Sequence, residues 1–88
     1  MNNKHNNIIE QISALLKENG DMNFRNHNPS YNYVHDSTLD SFSLLNFTLN
    51  IEATFSVSLS SDELSLSDSH TINGLTLLIL KKLDNLKS

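Results

Sequence analysis

The sequence predicts an all-α domain, a small four-helix bundle with a long first loop and a short third helix. Three observations carry that expectation. Apolar residues recur at helical spacing in three separate segments of the 88-residue chain. An Asn-rich, weakly periodic stretch separates the first segment from the second. The only alternating stretch, "SVSLSSDELSLSD", would be a lone short strand with nothing to pair with.

The first helix is read from "IIEQISALLKEN", where Ile8, Ile12, Leu15 and Leu16 fall at i, i+4, i+7 and i+8, with Ile9 alongside. Residues 1–6 precede it as a polar, flexible N-terminus, and Gly20 is its stop signal. Residues 20–38 form the long loop, with Met22, Phe24, Tyr31, Tyr33 and Val34 available to pin it. A floppy connector is the competing reading for its first half. The second helix runs from Ser41 to Phe55 and carries two apolar stripes. Leu44, Phe47, Ile51 and Phe55 make the core stripe. Phe42, Leu45 and Leu49 make another, roughly 120–140° round the helix. That second stripe either packs on a further element or faces a ligand or partner. A short helical turn is expected near Asp62–Leu66. The last helix presents Ile72, Leu75, Ile79, Leu83 and Leu86, broadened by Leu78 and Leu80. Ser69 or Thr71 caps it, Gly74 weakens it slightly, and Lys81, Lys82 and Lys87 suit the negative end of its dipole.

Composition excludes several function classes. A chain this short makes one domain, residues 1–88. With no cysteine there is no disulfide, thiolate metal site or cysteine nucleophile. A net charge of -4 with scattered basic residues argues against nucleic acid. The polar start lacks a signal peptide's apolar core and no apolar run matches a membrane span, so a cytoplasmic location is expected. The four histidines show no metal-like spacing. Ser41, His35 and Asp36 supply the residue types of a hydrolase triad without an oxyanion hole or nucleophile elbow. The two glycines cannot make a phosphate loop.

What remains is "DSTLDSFSLLNF", in which Ser41 stands where an apolar helix begins. Ser41 or Asp40 is a natural N-cap there. The same place also suits an attachment point, because a helix start offers free N–H groups and a positive dipole end to a phosphate ester.

From Tyr33 to Leu64, "YVHDSTLDSFSLLNFTLNIEATFSVSLSSDEL" resembles the acyl carrier proteins without a gap. Asp40 and Ser41 align with that family's Asp-Ser pair, Asp36 with the upstream acid, and Tyr33 with a buried loop aromatic. Phe55 aligns with the phenylalanine closing the second helix, Val57 and Leu59 with the apolar pair after it, and "HTINGLTLLIL" resembles the start of the last helix.

The resemblance implies a bundle of the acyl-carrier type, with 4′-phosphopantetheine attached to Ser41 by a magnesium-using phosphopantetheinyl transferase that takes it from coenzyme A. Asp40 would serve transferase recognition. The arm's thiol would hold an acyl or aminoacyl group as a thioester, and the carrier itself would catalyse nothing. Phe42, Leu45, Asn46, Leu49 and Glu52 would lie where partners dock: an acyl ligase or adenylation enzyme, a synthase or an acyltransferase. A monomer is expected. Where the family usually has Leu after the serine, Phe42 stands here. Where fatty-acid carriers are acidic, Ser43 and Asn46 stand, and only Glu52 keeps an acid. The resemblance therefore points to a stand-alone carrier of a specialised pathway. An unmodified carrier-like docking domain, with Ser41 only a helix cap, is the alternative.

Overall fold

A computed structural model describes residues 3–24 and 28–87. Residues 1, 2, 25–27 (His27 among them) and 88, and the side chains of Asn3, Leu86 and Lys87, lie outside the described residues. The fold is a small helical domain of four α-helices: α1 (Asn3–Glu18), α2 (Ser41–Phe55), α3 (Ser61–Ser65) and α4 (Ile72–Lys87). A 3₁₀ turn, Ser67–His70, joins α3 to α4. Among the described residues the only β feature is an isolated antiparallel bridge between Asn32 and Thr71.

The core forms where the apolar spacing places it. Ile8, Ile12 and Leu16 from α1, Phe47 and Ile51 from α2, and Ile72, Leu75 and Ile79 from α4 are buried together. α1 packs against both α2 and α4. Leu44 and Phe55 extend the α2 stripe but remain half-buried at its ends. α1 begins earlier than the sequence suggests, so Asn3–Asn6 are helical rather than a flexible lead-in.

Gly20 ends α1 as expected. Its φ of 97° is left-handed, and the two amides just past the helix turn back: Gly20 N–H donates to the Lys17 carbonyl at 3.0 Å and Asp21 N–H to that of Leu16 at 3.1 Å. The chain then enters the long loop already aimed at α2. Asp21 organises this loop. Its carboxylate accepts the Tyr31 hydroxyl at 2.8 Å, the Asn23 amide at 3.0 Å and the Thr38 amide at 3.2 Å. Phe24, Tyr31 and Tyr33 are buried, with Phe24 edge-on to Tyr31. Met22 departs from expectation: it is 78% exposed and pins nothing.

The same loop closes the start of α4. Ile72 N–H donates to the Tyr31 carbonyl at 3.1 Å and Asn73 N–H to that of Pro29 at 2.8 Å. Thr71 is the cap, its hydroxyl accepting Gly74 N–H at 3.0 Å and its carbonyl accepting Leu75 N–H at 2.9 Å. The amides of Ile72, Asn73 and Gly74, which the helix cannot satisfy internally, thus all have partners, and Leu75 makes the first regular helical bond. The described parts of the loop, residues 20–24 and 28–38, are thus bonded into the domain. Gly74 also has a role the sequence hid. A Cβ there would lie 1.6 Å from the Asp68 carbonyl oxygen, so its bare backbone lets the 3₁₀ turn sit against α4.

After α2 only residues 57–60 of the alternating stretch lie outside helix and turn, with Val57 and Leu59 buried. Ser60 and Glu63 then form a reciprocal capping box that starts α3 one residue before the expected Asp62. Lys82 of α4 reaches back to Glu63 at 2.9 Å.

Candidate functional site

The start of α2 separates the two readings of Ser41. The cap is Asp40: extended at φ -79° and ψ 178°, it accepts Ser43 N–H on Oδ1 at 2.8 Å. The Ser43 amide, then its hydroxyl, with the Phe42 amide adding to them, holds the Asp40 carboxyl below the usual aspartate range. Ser41 is the first helical residue, exposed, and its hydroxyl makes no hydrogen bond to any described residue. A serine capping a helix uses its oxygen on the backbone; this one leaves its oxygen in solvent.

Beside Ser41 runs a groove of about 330 Å³, lined by Tyr33, Val34, Leu44, Leu45, Leu64 and His70, with Thr48. α2 makes one wall, and α3 with the 3₁₀ turn makes the other. Two internal bonds shape that second wall. The His70 ring contacts the Leu64 carbonyl through Nε2 at 2.9 Å, and the Tyr33 hydroxyl donates to the Ser69 carbonyl. Burial pushes the Tyr33 phenol well above its ordinary range, so it stays a neutral donor. His35 stacks edge-on against His70 with ring centres 6.1 Å apart. The sequence separates these histidines by 35 positions, and the backbone bonds around the Asn32–Thr71 bridge, Tyr33 N–H to the His70 carbonyl among them, bring them together.

The second stripe of α2 stays outside the core. Phe42 is 78% exposed, Leu45 58% and Leu49 51%. Asn46 is also exposed, but its amide donates to the Asn19 side chain at 3.1 Å, and Asn19 in turn donates to Asn50 at 3.0 Å. These asparagines fasten the end of α1 to α2. Glu52 turns away from the stripe's role. Its carboxylate accepts Leu59 N–H at 2.7 Å and holds the segment after α2. Glu52, the one acid of α2, is half-buried.

The other chemical candidates do not assemble. No hydrogen bond joins Ser41 to His35 or Asp36 among the described residues. No cluster of three or more metal-ligating side chains occurs among them either. No helix is long and apolar enough to cross a membrane, again among the described residues. A larger groove of about 760 Å³ lies between the 3₁₀ turn and α4, with Leu66, Leu77 and Leu78 on its walls, and does not include Ser41.

Compared with protein-family models, with curated proteins and with solved structures, the chain matches none.

Proposed function

We propose that this protein is an acyl carrier: Ser41 Oγ bears a 4′-phosphopantetheine arm whose thiol holds an acyl or aminoacyl group and presents it to the enzymes of a specialised pathway. The observation that carries this reading is the spare Ser41 hydroxyl. Asp40 alone caps α2, so the serine oxygen is exposed, rigidly placed on the first turn, and needed by no bond of the fold. A phosphodiester formed there sits at the positive end of the α2 dipole.

The residues present fit the arm. The groove beside Ser41 offers Val34, Leu44, Leu45 and Leu64 to an apolar cargo or to the arm's own methylenes. The arm would supply the thiol that a chain without cysteine lacks. Asp40, next to the reacting hydroxyl, is the recognition contact for a magnesium-using transferase that takes the arm from coenzyme A. The exposed Phe42, Leu45 and Leu49 are the contacts for a ligase or adenylation enzyme and for the downstream synthase or acyltransferase. We place the protein in the cytoplasm as a monomer.

The test is a mass measurement after incubation with coenzyme A, magnesium and a broad-specificity phosphopantetheinyl transferase. The wild type is expected to gain one phosphopantetheinyl group. Ser41→Ala is expected to gain nothing while melting like the wild type, because the hydroxyl supports no bond. An unmodified, folded wild type beside a modified control carrier sinks the proposal in favour of an unmodified docking domain. Modification of Ser41→Ala sinks the site.

A further inference from the structure

We infer that the groove between the 3₁₀ turn and α4 is a docking site for an amphipathic helix of a partner protein, one that sets a basic residue against Asp68 and an acidic residue against Lys81, with apolar residues between them. This groove, of about 760 Å³, shares no lining residue with the groove beside Ser41. The inference therefore stands whether or not Ser41 is modified.

The apolar lining of the groove is open to water. Leu66, just before the 3₁₀ turn, is 61% exposed and Leu77 of α4 53%, while Leu78 is half-buried. The charged lining sorts into two kinds. Glu63 is committed: its carboxylate takes Lys82 at 2.9 Å and accepts the Ser60 amide at 2.9 Å. Asp68 and Lys81 are exposed and make no side-chain hydrogen bond or ion pair among the described residues. They also stand apart along α4. The Asp68 carbonyl lies against Gly74, where an added Cβ would come within 1.6 Å of its oxygen. Lys81 follows Gly74 by seven residues, about 10 Å of helix. Leu77 and Leu78 fall between the two.

This order of acid, leucines and base specifies the occupant. Seven residues make about two helical turns, so a helix lying along α4 presents its residues i, i+3 or i+4, and i+7 on one face over the same length. A base and an acid at the ends of that face, with apolar residues in the middle, match the groove in order. A hydrocarbon chain would cover the leucines and leave both charges unmatched. A polyanion would meet Asp68 and Glu63 in the same groove. α2 of a second copy offers an apolar stripe but no basic residue. A helix of another protein can carry both signs. The leucines supply the attraction, and the two charges set which helices fit.

The probes are three synthetic helices of about 16 residues on an Ala-rich frame. Each carries two Leu flanked by charges about two turns apart: Lys and Glu, Lys and Lys, or Glu and Glu. Each is titrated into the isotope-labelled full chain, and binding is read from backbone amide shifts. The Lys/Glu helix is expected to shift Leu66, Asp68, Leu77 and Lys81, and to bind about fivefold tighter than either like-charged helix. Asp68→Lys should bind the Glu/Glu helix tightest, and Lys81→Glu the Lys/Lys helix. Leu77→Ser should weaken all three about tenfold. The site falls if the Lys/Glu helix, at up to about 2 mM, shifts none of these residues or only those of α2. The charge assignment falls if the three helices bind the wild type equally, or if their order ignores the two charge reversals.

Discussion

Replacing Gly74 by alanine sets two physical arguments against each other with opposite signs. Helix propensity says that alanine near the start of α4 should stabilise by about 1 kcal/mol. The packing says the reverse. The new methyl would sit 1.6 Å from the Asp68 carbonyl oxygen, 2.8 Å from its carbon and 3.1 Å from Thr71 Oγ1. The first two are backbone atoms and cannot rotate away. The 3₁₀ turn would have to retreat by about 2 Å to reach ordinary contact. That turn carries the His70 carbonyl that accepts Tyr33 N–H at 3.0 Å, and Ser69, which bonds the Tyr33 hydroxyl. Overpacking of this kind costs about 1–3 kcal/mol, and displacement of backbone puts this case at the upper end. Less the propensity gain, the net loss is about 2 kcal/mol, or roughly 8–16 °C in melting temperature for a domain of this size. Thermal melting monitored by circular dichroism reads it, with Asn73→Ala, an exposed neighbour, as control. A Gly74→Ala protein that melts at or above wild type would refute the close approach of turn and helix.

Other bonds of the fold set three more outcomes. Tyr31→Phe removes the buried hydroxyl bond to the Asp21 carboxylate and is expected to lower stability by about 1.5–3 kcal/mol in a denaturant melt; an unchanged midpoint would mean that Asp21 does not organise the loop. Ile51→Ala, at a fully buried position, is expected to cost about 2–5 kcal/mol, while Leu49→Ala, two residues away and half in water, should cost well under that in the same assay. In acid, Glu63 is held down to about 2, first by the Ser60 backbone amide and then by Lys82, so the folded form binds its proton later than the unfolded chain. Its stabilising contribution is complete above about pH 4.5 and is lost as pH falls toward about 2; Glu63→Gln should flatten the acid limb of a melting-temperature profile over that window, and an unchanged limb would contradict the assignment.

α2 is the most legible element. Its span, Ser41–Phe55, comes from a cap residue, an unbroken periodic run and a core stripe, all of which are local signals. The stop at Gly20 and the Ser60–Glu63 capping box are local too. The features that escape a sequence reading depend on residues far apart in the chain. Nothing near Gly74 reveals that Asp68 will lie against it, and nothing near Met22 reveals that Asp21 will turn inward while its neighbour turns out. Periodicity identifies a second stripe on α2 but cannot say what covers it, because that depends on where α3 and the loop settle. The candidate site divides the same way. Asp40 and Ser41 stand out in the sequence, whereas telling cap from neighbour, and so finding the spare hydroxyl, requires the actual hydrogen bonds. Glu52 has a bond that its place on α2 did not reveal. An acid on an expected docking face is bound instead to the backbone seven residues on.

The bonds between the long loop and the start of α4 also bear on how the domain opens. Pro29, Tyr31 and Tyr33 are joined to His70, Ile72 and Asn73 across about forty positions of chain, so none of these contacts forms before these two distant segments have met. They should be made and broken as one cooperative unit, with the amides of Tyr33, Ile72 and Asn73 exchanging with solvent at a common rate. His70, a wall of the groove beside Ser41, belongs to that unit. Whatever loosens the clasp shifts that wall, so the width of the groove is set in part by hydrogen bonds that lie outside it.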